Sequence, residues 1–365
     1  MLKRDFLLLP LIAIGTMLIL IVPAEWAFRT AYPAVLADVC IAKTPLHPYA
    51  HGLANCTSYL KASEGPWAAN RYNACGYRTP EGCGLKPVGS LRVAVVGSST
   101  GAGYAVRYED TMSARAARAL SKRCGRPVEF QNLGVPGEQS RKLARRSTEA
   151  LSLVPDALLV VISPFDFELT ADLRADDPAE RTAKKSPVRR MKAAISSSRM
   201  LYMGSYFLLR DDGSYLPIYL RSGSNPDFMR VPMPPRWQDA LHAFDVAMAK
   251  VARQAREHGV PVTLLFVPQR AEAAMASSHM HQAGFDPQQL PRMLRAIAAR
   301  NGVAFADMLP EIPPQTPSAT IFYPVNGHIN AEGHALASKA LLRRMTAPGK
   351  FMDKCLAPAP GLVGR

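Results

Sequence analysis

The chain has 365 residues, 48% of them hydrophobic, with 44 Lys and Arg against 29 Asp and Glu and a formal net charge of +15. That length and composition exclude a disordered polar chain or a disulfide-stapled miniprotein, and allow one large globular domain or two small ones. The charge suits a nucleic acid, an anionic membrane surface or an acidic polysaccharide.

Phe6 to Ala24 carries no charged side chain and follows Lys3 and Arg4. An apolar run of about 20 residues is what an α-helix needs to cross a bilayer, so residues 1–29 read as a cytoplasmic N-terminus and a transmembrane anchor. A cleaved signal peptide is the rival reading, but its apolar region usually runs only about 7 to 15 residues, and the "PAEWAF" that follows is a poor small-x-small cleavage site. Basic residues ahead of the span place the N-terminus in the cytoplasm and the rest outside. This predicts a single-pass protein of the cell inner membrane with its main domain in the periplasm or extracytoplasmic space. Export removes nucleic acid from the partners that the charge allows.

Cys40, Cys56, Cys75, Cys83, Cys124 and Cys355 then all lie on the exported side, where disulfides persist, and their even number fits pairing. The pattern alone does not choose among the pairings. Local closure would join Cys40 to Cys56 and Cys75 to Cys83, leaving Cys124 to tie down the C-terminal tail through Cys355. There is no C-x-x-C pair and no adjoining histidine at ligand spacing, so no metal site is expected.

Residues 30–88 are rich in Pro, Gly, Tyr and Cys and read as an irregular, disulfide-pinned lead-in. From residue 91 strand and helix patterns alternate. "LRVAVVG" is an apolar run closed by Gly97, and "EDTMSARAARALSKRCG" is a helix with Asp110 or Thr111 as its cap and Gly125 past its last turn. The strand "VEFQN", the helix "EQSRKLARRSTEALSLV" and the strand "DALLVVIS" follow. Residues 170–235 interrupt the rhythm as an insertion that could cover a cleft. Within it Lys184, Lys185, Arg189, Arg190, Lys192 and Arg199 lie close to the apolar "MLYMGSYFLL", which reads as a solvated basic face or as a helix against an anionic bilayer surface. Trp237, Leu241, Phe244, Met248, Val251 and Ala255 then recur at helical spacing between Arg236 and His258. "VPVTLLFVP", "PQQLPRMLRAIAARNG", "VAFADM" and "NAEGHALASKALLRRM" supply the last strands and helices. Unbroken apolar strands alternating with helices predict a three-layer αβα sandwich around five parallel strands over residues 89–348, followed by a tail at 349–365.

In such a sheet ligands gather where strands end and helices begin. The loop after the first of these strands, "GSSTGAGY", reads equally as a nucleophile turn or as an ordinary loop. It lacks the Gly-Lys-Ser/Thr end of a phosphate loop and the G-x-G-x-x-G of a dinucleotide fold, so no nucleotide cofactor is expected. A serine hydroxyl is a weak nucleophile that needs a base, most often histidine. Of the eight histidines only His328, in "YPVNGHINAEGH", lies in a loop of this kind after the fifth strand. His279 and His281, in "HMH", read as surface residues rather than metal ligands.

In order and spacing these blocks resemble the SGNH, or GDSL-type, hydrolase family over most of the chain beyond residue 70. The resemblance implies the family's flavodoxin-like sandwich, with Ser99 of "VVGSSTGAGY" as the nucleophile, Ser98 in the family's Asp place and Gly103 as its later Gly. "NLGVPG" matches the N-x-G-x-x-G block, so the N–H groups of Gly137 and Ser99 would form the oxyanion hole. "NGHINAEGH" matches the last block, with His328 as base. The lead-in "NRYNACGYRTPEGCGLKP" is similar to the segment ahead of the nucleophile strand in membrane-anchored members.

The sequence departs from that pattern twice. "SPFD" has Phe165 where the family usually has an Asn that donates to the oxyanion, and removing one such donor costs about 100- to 1,000-fold in rate. Asp166 is kept and reads as structural. Asn326 stands in the usual Asp place, where it can orient the imidazole but brings no charge. In a serine protease the analogous change lowers turnover about 10,000-fold. Asn326-Gly327 is also a pair prone to deamidation. The resemblance thus implies a serine-dependent esterase or O-acyltransferase acting on ester groups, foremost O-acetyl, of extracytoplasmic glycans, as in the alginate O-acetylation proteins that share this kind of domain. Two alternatives stand beside it: a lipid esterase, and a catalytically impaired domain that binds glycans or scaffolds envelope polysaccharide machinery.

Overall fold

The computed structural model describes residues 5–45, 47–167, 197–278, 280 and 282–357. A helix, Asp5–Ala31 (α1), opens the chain. Counted over the described side chains, no helix is long and apolar enough to cross a membrane. Several side chains in the first half of α1 fall outside that count. The lead-in is more regular than its composition suggests. Ile41–Ala42 (β1) pairs with His51–Gly52 (β2), and Thr57–Leu60 (β3) pairs with Ala68–Arg71 (β4), both antiparallel. Asp38 gathers the lead-in by accepting from the Ser58 hydroxyl at 2.6 Å, the Asn70 amide at 2.7 Å and the Tyr72 hydroxyl at 2.6 Å.

Five strands follow: Leu91–Val96 (β5), Val128–Asn132 (β6), Ala157–Ile162 (β7), Val262–Phe266 (β8) and Ala304–Asp307 (β9). They form one parallel sheet in the order β6-β5-β7-β8-β9, which is the flavodoxin-like winding with its crevice at the β5/β7 switch point. Every residue of β5 and β7 is buried, as unbroken apolar runs require of strands covered on both faces. Arg92 in β5 is the one charged exception. Its guanidinium pairs with Glu129 on β6 and donates to the Leu153 carbonyl at 2.9 Å, so the buried charge is met from both sides.

Met112–Cys124 (α3) and Ala331–Met345 (α10) pack together over one face of the sheet, while Leu143–Leu151 (α4), Pro235–Glu257 (α7) and Gln289–Arg300 (α9) cover the other. Of the two cap residues open for α3, Thr111 takes the place, its hydroxyl accepting from the Ala114 N–H at 3.3 Å. All six residues of the apolar stripe on α7 are buried. Short helices that no periodicity announced sit at Ser99–Ala102 (α2), Arg270–Ser278 (α8) and Lys350–Leu356 (α11). The described part of the insertion forms Arg199–Leu209 (α5) and Asp212–Leu220 (α6). The basic residues from Lys184 to Lys192, and also His279 and His281, lie outside the described residues.

The three disulfides are Cys40–Cys56, Cys75–Cys83 and Cys124–Cys355, the pairing that local closure anticipates. The last one ties α11 to the end of α3, at the edge of the sheet opposite the loops that follow the strands. Replacing Cys124 and Cys355 together with Ser is therefore expected to lower unfolding free energy by about 2–5 kcal/mol while the folded-state near-UV circular dichroism stays unchanged. Chemical denaturation and circular dichroism on the same preparation check both halves.

Candidate active site

At the end of β5 the chain turns through Gly97 and an extended Ser98 into α2, whose first residue is Ser99. As the first residue of a helix, Ser99 has an N–H with no intrahelical partner. The turn is held from below by the lead-in. Arg78, 1% exposed, donates to the carbonyls of Ala102 and Val106 at 2.5 Å, which take no backbone N–H among the described residues, and to that of Gly103 at 2.6 Å, which also accepts from the Val106 N–H at 3.2 Å. Gly103 has φ +77°, and a Cβ there would stand 2.7 Å from the Arg78 guanidinium and 2.5 Å from Thr111. The later Gly of the first block is thus the space that this arginine needs.

The loop after β6 lies against α2. Asn132 donates to the Gly101 carbonyl at 3.0 Å and accepts from the Gly134 N–H at 3.0 Å, and the Val135 N–H donates to the Gly97 carbonyl at 3.1 Å. Gly137 follows with φ +78°, and its N–H donates to no acceptor among the described residues.

His328 closes the arrangement from the loop between β9 and α10. Its Nε2 lies 2.8 Å from Ser99 Oγ and its Nδ1 2.7 Å from Asn326 Oδ1. The same Oδ1 accepts from the His328 backbone N–H at 3.4 Å, which identifies it as the oxygen and makes Nδ1 the protonated nitrogen. Nε2 is then free to accept from the Ser99 hydroxyl. Burial pushes the ring down to about 4, against the hydrogen bond from Asn326, so His328 is neutral at pH 7. The Gly327 N–H, the atom that would attack Asn326 in a deamidation, is engaged by the Tyr323 carbonyl at 2.8 Å.

With the serine, histidine and asparagine in line, comparison with known proteins becomes decisive. Residues 95–336, from the end of β5 into α10, match the GDSL-like lipase/acylhydrolase family. The chain belongs to that family. This membership makes it an ester-hydrolysing serine hydrolase. Its fold is similar to that of an acetyl xylan esterase from Geobacillus stearothermophilus, at 12% identity and a TM-score of 0.39, over 70% of this chain and 94% of that one. It is also similar to a member of the lipolytic G-D-S-L family from Veillonella parvula, at 12% identity and a TM-score of 0.34, over 71% and 100%. A two-domain esterase active on acetylated mannans aligns at 14% identity and a TM-score of 0.41, over 75% of this chain and 53% of that one. No curated protein matches.

The acylhydrolase departs from its family where the sequence indicated. Phe165, 48% exposed, gives no donor. Its ring stacks on His328 at 5.8 Å between centroids, while Tyr104 leans on the same imidazole at 4.7 Å. Asp166 makes no bond to His328. Its carboxylate accepts from the Ser163 N–H at 2.7 Å beneath the turn, and burial pushes it up to about 7 against Ser98 and Ser163.

On the far side of Phe165 a cavity of about 460 Å³ is bounded by Asn326 and Gly327 and by residues of the insertion. Its walls include Tyr215, Tyr219, Phe228, Trp237 and Gln269. Neither Ser99 nor His328 lines it, whereas Phe165 both lines it and stacks on the base. Of the residues that sequence reasoning named, the structure joins Ser99, His328 and Asn326 by hydrogen bonds and places Gly137 in the loop after β6; Arg78, Tyr104 and the chamber were not named. Arg78 stands within "GYRTPE", yet a lone charge in an unpatterned segment carries no signal that it is buried.

Asp166 supplies a test by linkage. In the unfolded chain it titrates near 3.8 and in the folded chain near 7, so stability falls as pH rises between those values and the full penalty holds above them. Asp166→Asn keeps the acceptor for Ser163 and removes the titration. Relative to wild type, its urea midpoint is expected to be higher at pH 8 than at pH 4.

Proposed function

We propose that the acylhydrolase is an extracytoplasmic serine esterase or O-acyltransferase that removes or transfers acyl groups, foremost O-acetyl, on glycans, and that α1 anchors it to the inner membrane. One observation carries the reading: the line Ser99 Oγ, His328, Asn326, joined at 2.8 and 2.7 Å. Ser99 Oγ attacks the acyl carbonyl as His328 Nε2 takes its proton. The N–H groups of Ser99 and Gly137 hold the oxygen that becomes negative. Collapse expels the alcohol, which leaves with the proton from His328. Water or a sugar hydroxyl then repeats the two steps on the acyl-enzyme. The first outcome is hydrolysis and the second is transfer.

Among the described residues no carboxylate is bonded to His328 to meet the imidazolium formed during attack. The Asn326 carbonyl and the faces of Tyr104 and Phe165 are what this site offers to that charge, the rings through their negative quadrupoles. Glycans are favoured by the chamber, which the partly open rings of Phe165 and Tyr219 line together with the polar groups of Ser222, Asn225 and Gln269. The net charge of +15 suits an acidic polysaccharide, and the uncharged run from Phe6 to Ala24 supports the anchor.

The deciding experiment treats the full chain in detergent with a fluorophosphonate probe and assays a chromogenic acetyl ester, beside Ser99→Ala and His328→Ala. Labelling of wild type and loss of about 1,000-fold or more in each variant are expected. A wild type that neither labels nor hydrolyses above the variants overturns the reading, and preference for octanoyl over acetyl esters moves the substrate from glycans to lipids.

The pH profile gives an independent check. The base works when neutral, so kcat/KM should fall only as pH drops through about 4. Asn326→Asp sets an anion against Nδ1, which favours the charged ring. Its acid limb is expected at higher pH, with a plateau raised about tenfold or more. A plateau no higher than that of wild type counts against Asn326 as the orienting residue.

A further inference from the structure

We infer that Glu64, in the lead-in, is a positioning residue for the base: it clamps the loop that carries Asn326 and His328. The inference rests on the reading of His328 as the base.

The backbone donors of this loop can be accounted for one by one. The Tyr323 N–H donates to the His328 carbonyl and the Gly327 N–H to the Tyr323 carbonyl, each at 2.8 Å. Pro324 has no N–H, and the His328 N–H goes to Asn326 Oδ1. That leaves Val325 and Asn326, and Glu64 Oε1 accepts from both, at 3.1 and 3.0 Å. A single carboxylate oxygen thus holds the only two N–H groups that the turn cannot satisfy by itself. One of them belongs to the residue that orients the imidazole.

The other oxygen, Oε2, accepts from the Tyr202 hydroxyl at 2.5 Å, which fixes the carboxylate from the opposite side. Tyr202 stands on α5. The first turn of that helix is held in the same way, since Glu25 of α1 accepts from the Ser198 hydroxyl and the Arg199 N–H at 2.7 Å and from the Met200 N–H at 3.0 Å. Next to Glu64, Ser63 receives the Arg199 guanidinium. The loop of the base is therefore joined by hydrogen bonds through Glu64 and Tyr202 to the insertion, and through Glu25 to the first helix.

Bonds to a charged acceptor are among the stronger ones, and two orphaned N–H groups would let the loop seek other partners. A base displaced by about 1 Å can cost about 100-fold in rate without a change in what binds the substrate. The expected signature is a fall in kcat with little change in KM.

The test uses the full chain in detergent with Glu64→Ala, Glu64→Asp and Glu64→Gln. It reads kcat and KM on the chromogenic acetyl ester, the melting temperature, and the His328 ring signals in ¹⁵N-histidine NMR. Glu64→Ala should lose about 100-fold in kcat with KM within about threefold, and the His328 Nδ1–H signal should broaden or vanish. Glu64→Asp, one methylene short of both N–H groups, should lose about tenfold in the same pattern. Glu64→Gln keeps a carbonyl oxygen for both donors and should recover to within about fivefold of wild type with the ring signal intact. If Glu64→Ala does not fold, Glu64→Asp and Glu64→Gln decide. Wild-type kcat and ring signal in Glu64→Asp overturn the inference, as does a Glu64→Gln as damaged as Glu64→Asp. Should the wild type itself show no turnover, the esterase reading fails, while the ring signals still decide whether Glu64 holds the loop.

Discussion

Arg78 sets a full positive charge inside the protein against three carbonyl oxygens at the turn that follows Ser99. Burying a guanidinium costs several kcal/mol unless its donors are used, and the hydrogen bonds of this one among the described residues all go to backbone carbonyls. The dipoles of the turn are its counter-charge. Backbone oxygens can serve in that way only when they converge, so the conformation that aims Ser99 at His328 is also the one that gives both terminal nitrogens of Arg78 their acceptors. The lead-in, which is no part of the sheet, is for this reason no accessory: without it the nucleophile turn would lose what closes its end.

The base is set by a different balance. Burial keeps His328 neutral, which suits a proton acceptor, but the same burial opposes the charged form that it must adopt during attack. In the usual pattern of the family a carboxylate resolves that conflict. Here a neutral amide orients the ring and two aromatic faces flank it. The loss of the Asn at 165 and of the Asp at 326 falls on one imidazole, with Phe165 stacked on its face and Asn326 bonded at Nδ1. Phe165 belongs to the base and to the chamber at once, which couples what the site can hold to how the proton acceptor is dressed.

The insertion joins the two halves of this arrangement. Helix α6 walls the chamber with Tyr215 and Tyr219, and Arg270, 2% exposed, donates to the Pro324 carbonyl at 2.7 Å and the Leu209 carbonyl at 2.6 Å, fastening the base loop to the end of α5. Substrate space and catalytic geometry are therefore built from one connected set of bonds. A change in the insertion reaches both.

Sequence alone determined the five strands, the long helices and the order of the blocks, because these rest on local rules: a buried strand must be apolar along its length, and a surface helix must repeat its apolar face. The ordered blocks also singled out Ser99, Gly137, Asn326 and His328 through their resemblance to the hydrolase family, where the local pattern left the serine loop open between a nucleophile turn and an ordinary loop. What only the tertiary structure decided depends on atoms far apart in the chain. Arg78 and Glu64 look like ordinary charges in an unpatterned segment, and nothing local tells that one meets carbonyls 24 to 28 residues away and the other meets N–H groups 261 and 262 residues away. Phe165 reads as a missing donor until its ring is found against the imidazole. Periodicity reports which face of an element is buried, but not which distant backbone groups a buried charge will be asked to satisfy, and in this protein those groups hold both loops of the site.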